Sequence, residues 1–381
     1  MAYRDVNYSL QRNPLVLPAL LLAAGIAAGS ELVSEPWMAA VVLVGIVAAA
    51  FMVKNPMHQT KLLYLCVFVL GMLLSSVADP REHSLSESNA VQQWVDVQYE
   101  KSGVRNHKLL AAMTTGKTVD TRSVVSEVRQ DYSTAGVAHL LALSGLHVGL
   151  FYAVVLFLFM RRRHSAVVQI IVLSAVWIYV LLTGAAASTV RAGIMVTLHA
   201  LSLMLYREPL PFNQLALAAL LILVVSPLDL FDVGFIMSFG AVISIFMYSP
   251  LLMPKVENKI VRWLCATVCV SVSAQIGVAP VLAYVFGQIS PYFLISNLVI
   301  VPTAMVVIYG AAVILLLAPI PVMQAFVACN VSIVLDEMDR FIHYIAHLPG
   351  AEAHVEINMV QTICCYVIIV AVAFLIKVIR D

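Results

Sequence analysis

Eleven apolar runs follow one another along the chain, at roughly 15–33, 37–53, 62–77, 137–160, 166–184, 186–206, 211–226, 231–249, 261–286, 291–317 and 357–377. About 20 apolar residues in a helix cross the hydrocarbon core of a bilayer. Lipid offers no partner for backbone N–H and C=O groups, so a lone apolar run can only cross as a helix. The expected fold is therefore an all-α polytopic integral membrane protein, with about 10–11 transmembrane helices. Composition agrees: 62% of residues are hydrophobic and 11% charged. Soluble domains carry about 25% charged residues, and disordered chains lack apolar mass.

Basic residues sort by loop. With the N-terminus placed in the cytoplasm, the inside segments hold Arg4 and Arg12, Lys54 and Lys61, Arg161 to Arg163, Arg207, and Lys255, Lys259 and Arg262. The short outside loops near 34–36, 183–186, 227–231 and 287–290 hold none. The positive-inside rule then gives a cytoplasmic N-terminus. The first run is too long, and lacks a cleavage context, for a signal peptide. Residues 322–347 carry Asp336, Glu337, Asp339, Arg340, His343 and His347, which suits an interfacial amphipathic helix. That placement leaves Lys377 and Arg380 outside, against the rule, so a re-entrant or broken late helix is expected. Three divisions follow: an apolar region at 1–77, a short outer soluble or amphipathic segment at 78–133, and a transmembrane domain at 134–377. The outer segment balances seven basic against eight acidic residues, which does not make a nucleic-acid-binding domain by itself.

Several chemistries are excluded. The six cysteines lie in apolar runs without a C-x-x-C pair and read as small hydrophobes. H-E-x-x-H, the dinuclear-hydrolase cluster and G-x-S-x-G are absent, so no metal and no cofactor are expected. Gly116-Lys117-Thr118 resembles the end of a P-loop. However, Ala111 stands where the first glycine belongs, and the preceding residues read as helix.

Polar residues within the apolar runs are the functional candidates. His139, Ser144, Gly145 and His147 lie in one stretch ending at Gly149. In a continuous helix Ser144 and His147 would share a face, and Ser144-Gly145 could instead break the helix beside a wet cavity. A tight helix crossing with satisfied histidines is the competing reading. A Ser–His nucleophile lacks an acid partner and an oxyanion device, so no catalytic residue is assigned. Ser188 and Arg191 lie among small residues from Thr183 to Gly193. Arg191 costs about 2.5–3.5 kcal/mol at mid-membrane on insertion scales. It either lines a water-filled path or snorkels to the outer surface. Asp229 and Asp232 read as helix-start residues, leaving Gly234 and Ser238 as the inward polar positions. From Gln275 to Pro302, with Gln288 and Asn297 between, glycines and prolines imply broken helices at a pore or gate, against a merely kinked bundle.

His139-Leu-Leu-Ala-Leu-Ser-Gly-Leu-His147-Val-Gly149 resembles the signature of the ComEC-type competence proteins. Three more blocks follow in that family's order. Gly184 to Ala192 resembles G-x-x-x-S-x-x-R-A. Ser226 to Phe239 resembles S-P-x-x-L-x-D-x-G-F-x-L-S-F, with Met237 at the leucine position. Gln275 to Ser290, then Asn297-Leu298 and Pro302, resembles the Q…P…F-G-x-x-S and N-L-x-x-x-P segments. The likeness runs from about 105 to 377. It implies a bacterial inner-membrane channel that imports single-stranded DNA during natural transformation, without base specificity. His139, Ser144, His147, Arg191, Gln275 and Asn297 would then line the path. Full-length members carry an outer OB-like domain and often a metallo-β-lactamase-like domain. This sequence shows neither, so the expectation is a channel core without its own nuclease, not itself an enzyme. Its partners would be single-stranded DNA, membrane lipids, a DNA-delivery receptor, a separate nuclease, and a cytoplasmic translocase or single-strand-binding protein; homo-oligomerisation stays open. The alternative is a small-molecule or ion transporter, or a membrane scaffold, that kept the fold without DNA uptake.

Overall fold

The computed structural model describes residues 13–32, 36–53, 55–78, 90–115, 124–141 and 145–380. Among them are fifteen α-helices: α1 Val16–Leu32, α2 Pro36–Met52, α3 Pro56–Val77, α4 Ala90–Lys101, α5 His107–Thr115, α6 Val124–Thr134, α7 Gly145–Leu158, α8 Ala166–Leu182, α9 Ala187–Met204, α10 Pro211–Val225, α11 Val233–Leu252, α12 Lys259–Phe286, α13 Phe293–Leu316, α14 Pro321–Ala346 and α15 Met359–Arg380. Two short strands, β1 Gln288–Ile289 and β2 Ala353–His354, pair antiparallel. Among the described residues each apolar run carries an α-helix, the run at 137–160 opening on a 3₁₀ turn, Ala138–Leu140, before α7. Six (α3, α9, α11, α12, α13, α15) are long and apolar enough to cross a membrane; α1, α2, α7, α8 and α10 are apolar but shorter. The protein is a multi-pass membrane protein. Its outward faces match that solvent: Val360 and Val367 on α15 are 69% and 64% exposed.

Helix ends follow local chemistry. Asn55 caps α3 by accepting from Met57 N, with Pro56 in the first turn. Asn258 caps α12 by accepting from Ile260 N and Val261 N. Gly287, at φ +66°, ends α12 in the left-handed conformation that glycine adopts without a steric penalty.

The chain packs as two units. The first comprises residues 1–85 with 194–239, the second 86–193 with 240–381. The sequence divisions follow chain order, whereas these units follow packing. In the first unit α1 and α3 cross at glycines. A Cβ on Gly25 would stand 2.0 Å from Phe68 O, and one on Gly71 would stand 2.5 Å from Leu22 O. Gly25 and Gly29 form a G-x-x-x-G pair, the spacing that lets helix backbones meet. Asn213 Oδ1 accepts from Leu15 N (3.1 Å), and Gln214 Nε2 donates to Ser202 Oγ (2.7 Å).

The second unit is organised by an antiparallel pair, α13 and α14. Ile300, Ala304, Val307, Ala311 and Ile314 are buried on α13, and Ala328, Val331, Leu335, Met338, Ile342 and Ile345 on α14. Steps of three and four residues are those of a coiled-coil seam. Tyr99, Leu110, Met113 and Tyr132 from α4, α5 and α6 join the same core. α14 buries one face, Ala328 to Ile345, in this core, while Phe326 and Ile333 of the same helix stay exposed. The late segments are continuous helices, so the expected re-entrant or broken helix is not found among them. β2 pairs with β1, so α14 returns the chain to the end where α13 began. Tyr366 OH donates to Gly277 O (2.9 Å), and Tyr248 OH donates to Ile369 O, so α15 runs back along α12. The end of α15, which carries Lys377 and Arg380, thus lies toward the same end as Lys259 and Arg262.

Pro280 and Pro302 do not break their helices, contrary to expectation. α12 and α13 continue through them, and the interruption is confined to the stretch between Phe286 and Phe293. Close packing supports α12 there: a Cβ on Gly277 would meet Gly240 O at 2.4 Å. The cysteines also differ from expectation. Cys269 is buried, but Cys329 and Cys364 are exposed on helix faces.

Replacing Gly25 with leucine should cost at least the ~1–3 kcal/mol of overpacking, because backbone rather than a flexible side chain opposes it. Gly45 has nothing within 4 Å of its Cβ position, so the same change there should be neutral or stabilising. Thermal unfolding in detergent compares the two.

Candidate functional site

The site is built around the turn joining α8 to α9. Gly184 N–H donates to Leu181 O (3.1 Å) and Ala185 N–H to Val180 O (2.9 Å), the paired bonds of a Schellman end. Gly184 has φ +85°, as that end requires. Ala185 follows at φ +51°, where a side chain costs about 1–2 kcal/mol. Strain kept beside a buried cation marks a place where position matters more than stability.

α9 begins immediately after this turn. Arg191 lies in its second turn and is only 4% exposed. It does not snorkel to a surface; protein surrounds it. Gly193 faces the Trp177 ring, with 3.6 Å from its Cβ position to the nearest ring atoms. A Cβ on Gly145, the first residue of α7, would lie 3.3 Å from Ala192 Cβ. The fold thus brings the Gly145–Gly149 segment against the Arg191-Ala192 turn, although more than forty residues separate them. His147 is 1% exposed on the first turn of α7.

One polar residue that sequence reasoning missed ties this turn to α5. Gln92 Nε2 on α4 donates to Thr183 O (3.1 Å) and to Thr115 O at the end of α5 (3.2 Å). The segment expected to be a soluble outer loop is therefore packed onto the site. Its only sequence signal was the amphipathic spacing of α4. Burial also raises the Tyr99 hydroxyl to about 12, against a weaker lowering by the Thr114 hydrogen bond. Burial, then the Asp339 charge, raises Tyr132 further. Both phenols stay neutral members of the core.

A second cluster closes around the α12–α13 loop. Gln288 Nε2 donates to Ser133 Oγ (2.9 Å), Val355 N–H to Gly287 O (2.9 Å), and Tyr292 OH to Pro349 O (3.0 Å). Gly136, at φ +78°, lies so close that a Cβ would meet Ser290 Cβ and Phe293 Cβ at 3.0 Å. The stretch expected at a pore or gate is clamped by these bonds. Behind it Ser290 Oγ, Ser296 Oγ and Asn297 Oδ1 are buried and make no hydrogen bond within the described residues.

The remaining candidates are dispersed. His139 is exposed in a 3₁₀ turn, Ala138–Leu140, so it shares no helix with His147. Ser144 lies outside the described residues. Ser188 is half-buried at the start of α9, and Gln275 is half-buried on α12. Gly234 (exposed) and Ser238 (half-buried) belong to the first unit. Asp232 caps α11 by accepting from Phe235 N (2.8 Å), as expected. Asp229 lies in the first turn of a 3₁₀ helix, Pro227–Phe231, that precedes α11 rather than at the start of α11 itself.

The competence protein family model matches residues 117–380. The chain belongs to the competence protein family. ComE operon protein 3 of Bacillus subtilis (strain 168) is 32% identical over 197 residues, which are 51% of this chain and 24% of that relative. The match therefore spans about a quarter of the relative's length. No solved structure matches the chain. Within this competence-family chain, the matched region contains Gly145, His147, Arg191 and the clamped loop. Gln92, which bonds the carbonyl of Thr183 before α9, precedes it.

Replacing Gln92 with alanine should leave two buried carbonyls without their donor, at about 1–3 kcal/mol. The expected result is a lower unfolding temperature in detergent. An unchanged one would remove Gln92 from the support of the turn.

Proposed function

We propose that this protein forms the core of an inner-membrane channel through which one DNA strand enters the cytoplasm during natural transformation. Family membership over 117–380 supports a role in competence. The observation that carries the mechanism is the burial of Arg191 beside the Gly145 end of α7. An arginine can bind phosphate, and neutral polar groups let a backbone move on without a deep trap. Ser290, Ser296 and Asn297 add buried polar atoms that need partners, and water or a hydrated strand would supply them.

The N-terminus lies in the cytoplasm on this reading, and the basic ends of α12 and α15 face the same side. Specificity is for a backbone rather than for bases. The strand is delivered by an outer receptor and a separate nuclease. It is drawn inward by a cytoplasmic translocase or captured by a single-strand-binding protein. The chain itself performs no bond-breaking step.

The test is Arg191→Ala in the natural host. The variant should insert and accumulate like wild type, yet reduce transformation by marked linear DNA at least about tenfold, equivalent to ~1.4 kcal/mol. Unchanged transformation at equal protein level would take Arg191 out of the path.

A further inference from the structure

We propose that Asp131, His343 and His347 bind one first-row transition-metal dication, zinc foremost, which clasps α6 to the end of α14. Asp131 is remote in sequence from the His343–His347 pair, yet one ligand atom from each of the three lies within 4.8 Å of the others. Asp131 Oδ2 is 2.7 Å from His343 Nδ1. The two imidazoles are four residues apart on α14 and its C-terminal cap, with ring centroids 4.1 Å apart. That spacing places both on one helix face.

The orientation of His347 is the second observation. Its Nδ1 lies 2.8 Å from His343 O. A carbonyl only accepts, so Nδ1 carries the proton and Nε2 keeps its lone pair. This is the support that metal-ligating histidines receive, where one ring nitrogen is held by a backbone carbonyl and the other is left to the metal. At His343 the cation takes the place of the proton that Nδ1 shares with Asp131: a neutral ring then carries that proton on Nε2 with no net release, and an imidazolium gives up one proton to solvent. Two imidazoles and a carboxylate suit zinc, cobalt, nickel or copper and not magnesium, which prefers oxygen ligands. His343 and His347 are exposed, so the ion has a route in and a water can complete the tetrahedron.

The clasp has a structural consequence. α6 leads within a few residues to Gly136, which packs on Ser290 and Phe293, and then to His139. A metal at Asp131 would fix the helix that positions this connection. The sequence motifs could not show it, because H-E-x-x-H and C-x-x-C spacings describe sites made within one segment. Here a carboxylate from α6 completes a pair on α14. The inference does not depend on DNA transport and is read by binding alone.

The experiment uses the purified full-length chain in detergent, stripped with a chelator and titrated with zinc chloride, then with cobalt chloride. The expected result is one zinc per chain at micromolar affinity or tighter, a visible tetrahedral cobalt band, and no competition from magnesium. His347→Ala keeps the Asp131–His343 hydrogen bond, so it should fold normally. It should weaken zinc at least about tenfold and abolish the cobalt band. Asp131→Asn should do the same. Absence of stoichiometric binding to the wild-type chain would overturn the proposal. So would binding that both variants leave unchanged, since it would place the metal on other histidines.

Discussion

The α13–α14 seam is the contact on which the second unit depends. Residues spaced by three and four bury a continuous apolar stripe on each helix, from Ile300 to Ile314 and from Ala328 to Ile345. Lipid gives no hydrophobic drive for two apolar helices to meet, so the seam relies on close packing. Gly310 shows how close it is: a Cβ there would stand 2.4 Å from a Val331 methyl. The seam also gives α4, α5 and α6 an apolar surface, through Tyr99, Leu110, Met113 and Tyr132, that such short helices cannot supply for themselves. Finally, it returns the chain, so that α15 carries its basic end back toward Lys259.

What the seam supports is a buried cation. A lone arginine in an apolar helix costs several kcal/mol unless its surroundings are arranged for it. Here the arrangement starts outside the helix. Gln92 reaches from α4 to the carbonyl of Thr183, the strained Gly184-Ala185 turn follows, and Gly145 leaves room for Ala192. Each feature places backbone, and together they hold Arg191 away from the surface.

Much of this was legible in the sequence because lipid imposes one rule. Apolar runs had to be helices, and each of the eleven carries one among the described residues. The Asp232 cap and the Gly287 helix end could be read locally as well. Proline was the weaker guide: Pro280 and Pro302 sit inside continuous helices, since neighbouring helices support the backbone there. At α14 the acids and histidines masked the apolar stripe, Ala328 to Ile345, that the seam buries. Long-range partners were invisible for a plain reason. Gln92 and Thr183, or Asp131 and His343, have no spacing in the sequence that marks them as neighbours. Only the packing of α4–α6 on the seam brings them together.

The central claim is that this bundle passes a DNA strand. It is tested most directly by deleting the gene in its host and measuring transformation with marked linear DNA alongside binding of that DNA at the cell surface. The account predicts that transformants vanish while surface binding persists, and that the wild-type gene restores them. Transformation at the parental frequency in the deletion strain would contradict it.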